Sequence, residues 1–146
     1  MTLSTSGSPM SLVLAFTPAS AAVARHELDR WLGEAASRDD RTRDDCALVV
    51  SELVGNAVRH ARPLANGTLE VSWQWASGGV DLSVTDGGGT SSPHKVEAGL
   101  SDLSGRGLAI VETLAGRWWV ERGSGRTTVH ALMPARRRNP VLTSVR

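Results

Sequence analysis

The chain has little of what normally identifies a disulfide-rich, metal-bound or membrane-inserted protein. Its single cysteine, Cys46, excludes an intramolecular disulfide and any metal site built from several cysteines. No stretch approaches the ~18 consecutive apolar residues of a membrane-spanning helix. The N-terminus has neither a basic segment nor a long apolar stretch, so the sequence predicts no secretory signal. We therefore expect a cytoplasmic protein that does not enter a membrane.

An excess of charge of one sign is also missing. Sixteen Lys and Arg residues against fifteen Asp and Glu residues give a formal net charge of +1. Neutralising nucleic-acid phosphates normally requires a basic surface, so this balance argues against direct nucleic-acid binding. Arginines do cluster at Arg136, Arg137 and Arg138, near the C-terminus. We interpret them as a solvated tail, with a binding patch as the alternative.

Two common nucleotide-binding signatures are absent as well. The chain has no GxxxxGK[ST] motif and no strand–GxGxxG–helix fingerprint, which excludes a P-loop or Rossmann site. Its 146 residues, 40% hydrophobic and 21% charged, are typical of one globular domain. We divide the chain into a flexible leader at 1–10, a folded domain at 11–134 and a basic tail at 135–146.

Hydrophobic periodicity predicts an α+β protein. Helical spacing of apolar residues predicts helices at 19–31, about 44–61 and 107–114, and alternation predicts strands at 11–16, 68–75, 80–85, 117–122 and 127–133. This order implies a two-layer α/β sandwich, with helices on one face of a mixed, mainly antiparallel sheet. The intervening segment 86–103 is rich in Gly, Ser and Pro and is interpreted as a functional lid.

The second predicted helix carries a polar stripe. Glu52, Asn56 and His60 are spaced by four residues, which places them on one side of a helix, opposite a core face that includes Val50, Val54 and Ala57. A carboxylate can act as a general base, and an amide oxygen suits Mg²⁺, which prefers oxygen ligands. For this helix alone, an amphipathic surface with ordinary polar residues is the other interpretation.

Two glycine-rich segments complete the candidate site. Asp86 ends a predicted strand and is followed by Gly87, Gly88 and Gly89, where a backbone can approach a ligand closely and the carboxylate can accept from an exocyclic amine. The segment 104–108, SGRGL, opens a helix whose first backbone N–H groups can hold a phosphate. A glycine turn and a flexible loop are the alternatives for each segment by itself.

Together these segments resemble the N box and the two glycine boxes of the GHKL ATPase superfamily. The stretches ALVVSELVGNAVRHA, VDLSVTDGGG, GRGLAIVETLAGRW and TTVHALMP look most like those of the small anti-sigma-factor serine kinases, which have a histidine-kinase-like ATP-binding domain. The resemblance covers roughly residues 11–134 and implies the Bergerat-type ATP-binding fold.

The resemblance also implies roles for individual residues. Glu52 would be the general base for a partner's serine, and Asn56 would hold Mg²⁺. Asp86 would bind the adenine amino group, with Gly88 leaving room for the base. The remaining nucleotide-binding residues implied are Arg59, His60, Gly105, Arg106, Gly107, Leu108 and Thr128.

The function implied is that of an ATP-binding anti-sigma factor with serine/threonine kinase activity. Its partners would be a sigma factor and an anti-anti-sigma protein of the STAS type, and homodimers are frequent in this family. The alternative is a non-catalytic binding module that sequesters a transcription regulator stoichiometrically.

Overall fold

The computed structural model describes residues 8–34, 39–89 and 106–135, with the backbone alone at 106 and 107. Within these ranges the chain forms five strands, β1 Met10–Ala15, β2 Thr68–Ala76, β3 Gly79–Asp86, β4 Arg117–Gly123 and β5 Arg126–Pro134. It also forms three α-helices, α1 Ser20–Gly33, α2 Asp40–His60 and α3 Arg106–Leu114. The predicted α+β class and order of elements are confirmed.

The sheet has the strand order β1-β2-β3-β5-β4, and every pairing among these strands is antiparallel. The predicted predominance of antiparallel pairing is therefore confirmed, but the described strands contain none of the parallel pairs that a mixed sheet would include. β3 and β4 do run parallel, as expected for strands joined through α3. β5 lies between them, however, so the two parallel strands are not neighbours. The two helices α1 and α2 connect β1 to β2, and these two strands also pair antiparallel.

The helices cover one face of the sheet and enclose the core. α2 packs on β3 and β5 and contacts both other helices. Alternate residues of each strand face this layer, among them Val71, Leu82 and Ala131, which are fully buried. At one end of the core, the Trp31 ring stacks on Trp75 with centroids 4.8 Å apart.

The helix α2 begins about a turn earlier than predicted. Asp39 caps its N-terminus, accepting a 2.9 Å hydrogen bond from the Thr42 amide. The Arg43 guanidinium in this added turn forms two hydrogen bonds with the Asp29 carboxylate of α1, at 2.9 and 3.1 Å. A capping carboxylate and a bidentate ion pair thus extend the helix over a charged segment that has no apolar periodicity.

Cys46 lies on the buried face of α2. Its side chain is fully buried in the core. Burial, with a smaller contribution from the Asp45 charge, raises the pKa of the Cys46 thiol to about 12. The thiol is therefore protonated at neutral pH and acts as a packing group.

The opposite face of the sheet carries no described helix and is polar. His130 lies between two carboxylates, Asp81 and Glu121, each 3.1 Å from a ring nitrogen. The Trp119 ring stacks on His130 with centroids 4.7 Å apart. Adjacent Trp118 points into the helix layer, as the alternation of a strand requires. None of the described helices is long and apolar enough to cross a bilayer.

Because the core lies on only one face of the described sheet, the same substitution should affect stability differently on the two faces. Val71 of β2 is fully buried, whereas Val13 of β1 is 64% exposed on the helix-free face. Val71→Ala removes two buried methyl groups, so we expect it to lower the free energy of unfolding by about 2 kcal/mol. Val13→Ala is the matched control, expected to change it by less than about 0.5 kcal/mol. Urea denaturation measures both, and equal losses would contradict the assignment of the faces.

Candidate functional site

The polar stripe of α2 runs from the edge of the core into solvent. Asn56 is 7% exposed, Glu52 is half-buried, and Arg59 and His60 in the last turn are exposed. The buried face of α2 is wider than predicted, because Val49 and Leu53 are also buried in the core. Asn56 therefore lies at the border of the apolar layer, and its amide is withdrawn from bulk water.

The Asn56 side chain has an unused acceptor. Its Oδ1 atom is buried and accepts no hydrogen bond from any residue in the described ranges. A buried amide oxygen without a partner lowers stability by about 1–3 kcal/mol, unless a ligand binds to it. An oxygen of this kind is a suitable ligand for Mg²⁺. No cluster of three or more His, Cys, Asp or Glu side chains in the same ranges is arranged to hold a metal ion.

The glycine segment after β3 is fastened to the end of α2. The Arg62 amide donates to the Gly88 carbonyl at 2.9 Å, and the Gly87 amide donates to the Arg62 carbonyl at 2.7 Å. Gly88 has a φ of +93°, a conformation that side-chain-bearing residues rarely adopt. These two hydrogen bonds hold the residues after β3 beside the exit from α2, only a few residues beyond Asn56.

Asp86 is a buried carboxylate at the end of β3. It is 5% exposed, and its Oδ1 atom accepts a 2.7 Å hydrogen bond from the Gly88 amide. Burial raises the pKa of Asp86 from the usual 3.8 to about 6, while the Gly88 hydrogen bond and the charge of Arg122 lower it. Such a perturbed group at the edge of a core is typical of a binding site.

The threonine beside Asp86 is Thr127, and the placement of Thr128 at this site is wrong. The strand register pairs Asp86 with Thr127, and Thr127 is buried on the same face. Thr128 points to the helix-free face, where its hydroxyl lies 2.8 Å from that of Thr85. The alternation in β5 contained this information, because Thr127 is in phase with the core residues Ala131 and Met133.

Sequence reasoning also missed the arginines near the glycine segment. Arg122 of β4 pairs with Thr127 and lies in the same row as Asp86. Arg62, Arg122 and Arg126 contribute to the lining of a cavity of about 390 Å³ between the glycine segment and the β4–β5 turn. No motif identifies these residues, since only the pairing of β3, β4 and β5 places them together.

The predicted phosphate segment is described in part. α3 begins at Arg106, so the backbone amides of Arg106, Gly107 and Leu108 belong to its first turn, where N–H groups have no partner within the helix. The Leu108 side chain is fully buried against the core and anchors this turn. Gly105 and the predicted lid beyond Gly89 lie outside the described residues.

Comparisons with known proteins agree with this arrangement. The model of the family described as histidine kinase-like ATPase domain matches residues 14–133. Among solved structures, the chain is similar to the crystal structure of the RsbU and RsbW domains of Rv1364c from Mycobacterium tuberculosis, with a TM-score of 0.67 and 26% sequence identity. That match covers 88% of this chain and 32% of the other, so this chain spans about a third of its length.

The attachment of the glycine segment to α2 is testable by substitution. A Cβ atom at Gly87 would overlap the Pro63 carbonyl oxygen, whereas one at Gly123 would meet nothing within 4 Å. We expect Gly87→Ala to lower the free energy of unfolding by about 1–3 kcal/mol, because backbone atoms must move apart. Gly123→Ala is the control and should be nearly neutral. If urea denaturation gives the same stability for both variants, the close approach at Gly87 is contradicted.

Proposed function

The chain belongs to the histidine kinase-like ATPase domain family, and from this premise we propose that it is an anti-sigma-factor kinase that uses Mg·ATP to phosphorylate a serine of a partner protein. The resemblance to small anti-sigma serine kinases is confirmed at the level of family and fold by the two matches. The kinase activity, the magnesium ion and the partners are the proposal.

The observation that carries the proposal is the buried, unpaired Oδ1 of Asn56. It lies on the helix that packs on β3, the strand that ends at Asp86. Asn56 would hold Mg²⁺ through this oxygen. The ion, when bound, neutralises charge on the ATP phosphates, and ATP supplies the phosphoryl group.

Asp86 would bind the adenine base. A carboxylate can accept from an exocyclic amino group, as adenine has, and is repelled by a carbonyl at the same position, as guanine has. Gly88 has no side chain to fill the adjacent space, and the Thr127 hydroxyl is in the same row as Asp86. We therefore assign Thr127, and not Thr128, to the proposed nucleotide site.

The phosphates would lie at the N-terminus of α3. The first-turn amides of Arg106, Gly107 and Leu108 are donors suited to an anion, and the proposal includes Gly105 and the charge of Arg106. Arg59 and His60 are exposed on the last turn of α2 and remain in the proposal as outer residues of the same site.

Glu52 would be the general base. It is half-buried one turn before Asn56, so both side chains are on the same side of α2. Its carboxylate would accept the proton of the partner's serine hydroxyl as that oxygen forms its bond to the γ-phosphorus of ATP. The bond between this phosphorus and the β,γ-bridging oxygen breaks in the same step, and ADP leaves. General-base catalysis of this kind contributes about 10²- to 10⁴-fold to a rate.

The proposed partners follow from the family relationship. We propose a sigma factor and an anti-anti-sigma protein of the STAS type, a homodimer, and a cytoplasmic location, with residues 11–134 as the ATP-binding unit. Similarity to a crystal structure that contains an RsbW domain supports this choice. The net charge of +1 supports protein partners rather than nucleic acid.

Calorimetric titration with ATP and ADP, with and without Mg²⁺, tests the nucleotide site. We expect Mg²⁺-dependent binding with a micromolar Kd, and a loss of at least about tenfold in Mg·ATP affinity for Asn56→Ala. Gln74→Ala is the control, an exposed amide on the helix-free face. Unchanged magnesium dependence in Asn56→Ala would contradict its assignment. Absence of binding at millimolar nucleotide would instead favour the non-catalytic binding module.

Transfer of the γ-phosphate of labelled ATP to a purified anti-anti-sigma protein tests the chemistry. Glu52→Ala should abolish detectable transfer, because the base is lost, while ATP binding and partner binding stay near wild-type values. Glu121→Ala removes a carboxylate on the opposite face of the sheet and should leave transfer unchanged. Residual transfer close to the wild-type rate in Glu52→Ala would remove Glu52 from the role of base.

A further inference from the structure

Three polar residues form a row across the end of the sheet. The register aligns Asp86 of β3 with Thr127 of β5, and Thr127 with Arg122 of β4. All three are in phase with residues that pack against the helices, such as Val84 and Val120. The row therefore lies at the covered face, and it brings a cation into the neighbourhood of the buried carboxylate.

Arg122 differs from Arg126, the arginine at the start of β5. The Arg122 Nε atom is buried and donates to no acceptor among the residues that the structure describes. Arg126 also borders the cavity beside the glycine segment, but its guanidinium forms a 3.1 Å ion pair with Glu70 on the opposite face of the sheet. Arg122 is thus a cation with a buried, unused donor on the Asp86 side, while Arg126 is already paired elsewhere.

We propose that Arg122 is a positioning residue that keeps Asp86 ionised, so that the carboxylate can accept the adenine amino group at neutral pH. This inference rests on the proposed nucleotide site and adds to it a residue that none of the recognised motifs contains. Arg122 acts through Asp86 and needs no contact with the nucleotide.

The electrostatics of the row give the physical reason. Burial stabilises the neutral form of Asp86 and is the largest influence on its pKa, raising it to about 6. The Gly88 hydrogen bond opposes this influence, and so does the positive charge of Arg122 to a smaller extent, because both stabilise the carboxylate. A protonated carboxyl presents a donor where adenine also presents one. Adenine binding should therefore be strong above this pKa and weaken as the pH falls through it.

Other charged groups surround the glycine segment. Arg62, from the segment after α2, contributes to the same cavity as Arg122 and Arg126. Arg59 and His60 lie on the last turn of α2 and are exposed. No acidic residue in the described ranges lines that cavity. Of these groups, Arg122 is the one whose charge affects the pKa of Asp86.

The test measures the Asp86 carboxyl directly and then its effect on binding. Carbon-13 NMR follows the titration of Asp86 in nucleotide-free wild type, Arg122→Met, Arg122→Lys and the control Arg126→Met. We expect Arg122→Met to raise the midpoint by about one pH unit, and Arg122→Lys to restore much of the wild-type value. Arg126→Met should leave the midpoint unchanged, since Arg126 is paired with Glu70 on the other face.

Calorimetry with ADP at a constant, saturating Mg²⁺ concentration then measures nucleotide binding to the site whose adenine end contains Asp86. Near the wild-type midpoint, a rise of one pH unit reduces the ionised fraction of Asp86 from about a half to roughly a tenth. Arg122→Met should therefore bind ADP about fivefold more weakly there, and the deficit should shrink as the pH rises. If Arg122→Met does not fold, Arg122→Gln replaces it in both measurements, with the same expected shift.

Two different failures are distinguishable. An unchanged Asp86 midpoint in the charge-removing variant, or an equal shift in Arg126→Met, overturns the role of Arg122 while leaving the nucleotide site intact. A loss of ADP affinity that is the same at every pH also overturns it, because it indicates a merely structural effect. If the wild type binds no ADP at any pH, the proposed function fails, and the role of Arg122 in adenine binding fails with it.

Discussion

The two backbone hydrogen bonds between Arg62 and the glycine segment are the constraint on which the candidate site depends. They join the exit of α2 to the residues that follow β3, so the helix with Glu52 and Asn56 keeps a defined position relative to Asp86. Gly87 permits this approach, because a side chain there would overlap the Pro63 carbonyl oxygen. Backbone hydrogen bonds of this kind do not depend on side-chain rotamers, which suits a site made from two separate elements.

The site places polar groups where the fold would be more stable with apolar ones. Asn56 and Asp86 are 7% and 5% exposed, and the Asn56 Oδ1 atom accepts no hydrogen bond within the described part of the chain. The pKa of Asp86 is raised above its unfolded value, so the native state holds this proton more tightly than the unfolded chain does. Ionisation of Asp86 therefore reduces stability as the pH rises from about 4 to about 6. A bound ligand that uses the carboxylate and the amide oxygen offsets this cost, which couples binding to folding stability.

The two faces of the sheet divide the protein into a packing side and a polar side. Alternation along each strand directs one set of residues towards the helices and the next towards the uncovered face. On the uncovered face, the His130 ring forms hydrogen bonds with the carboxylates of Asp81 and Glu121. The same alternation decides which threonine belongs to the site. Thr127 faces Asp86 and its neighbour Thr128 does not, so a shift of one residue separates a candidate ligand contact from a surface hydrogen bond.

By itself the sequence determined the elements, their order, the family and most of the candidate site, because hydrophobic periodicity and glycine positions act locally. The spacing of Glu52, Asn56 and His60 and the placement of Asp86 after a strand belong to this local information. Only the tertiary structure decided that the pairing is antiparallel throughout the described sheet, that Asn56 is buried whereas His60 is exposed, and that Thr127 and Arg122 share a row with Asp86. These features depend on the register between strands distant along the chain and on how α2 is rotated against them, and both follow from the packing of the whole core rather than from any one segment.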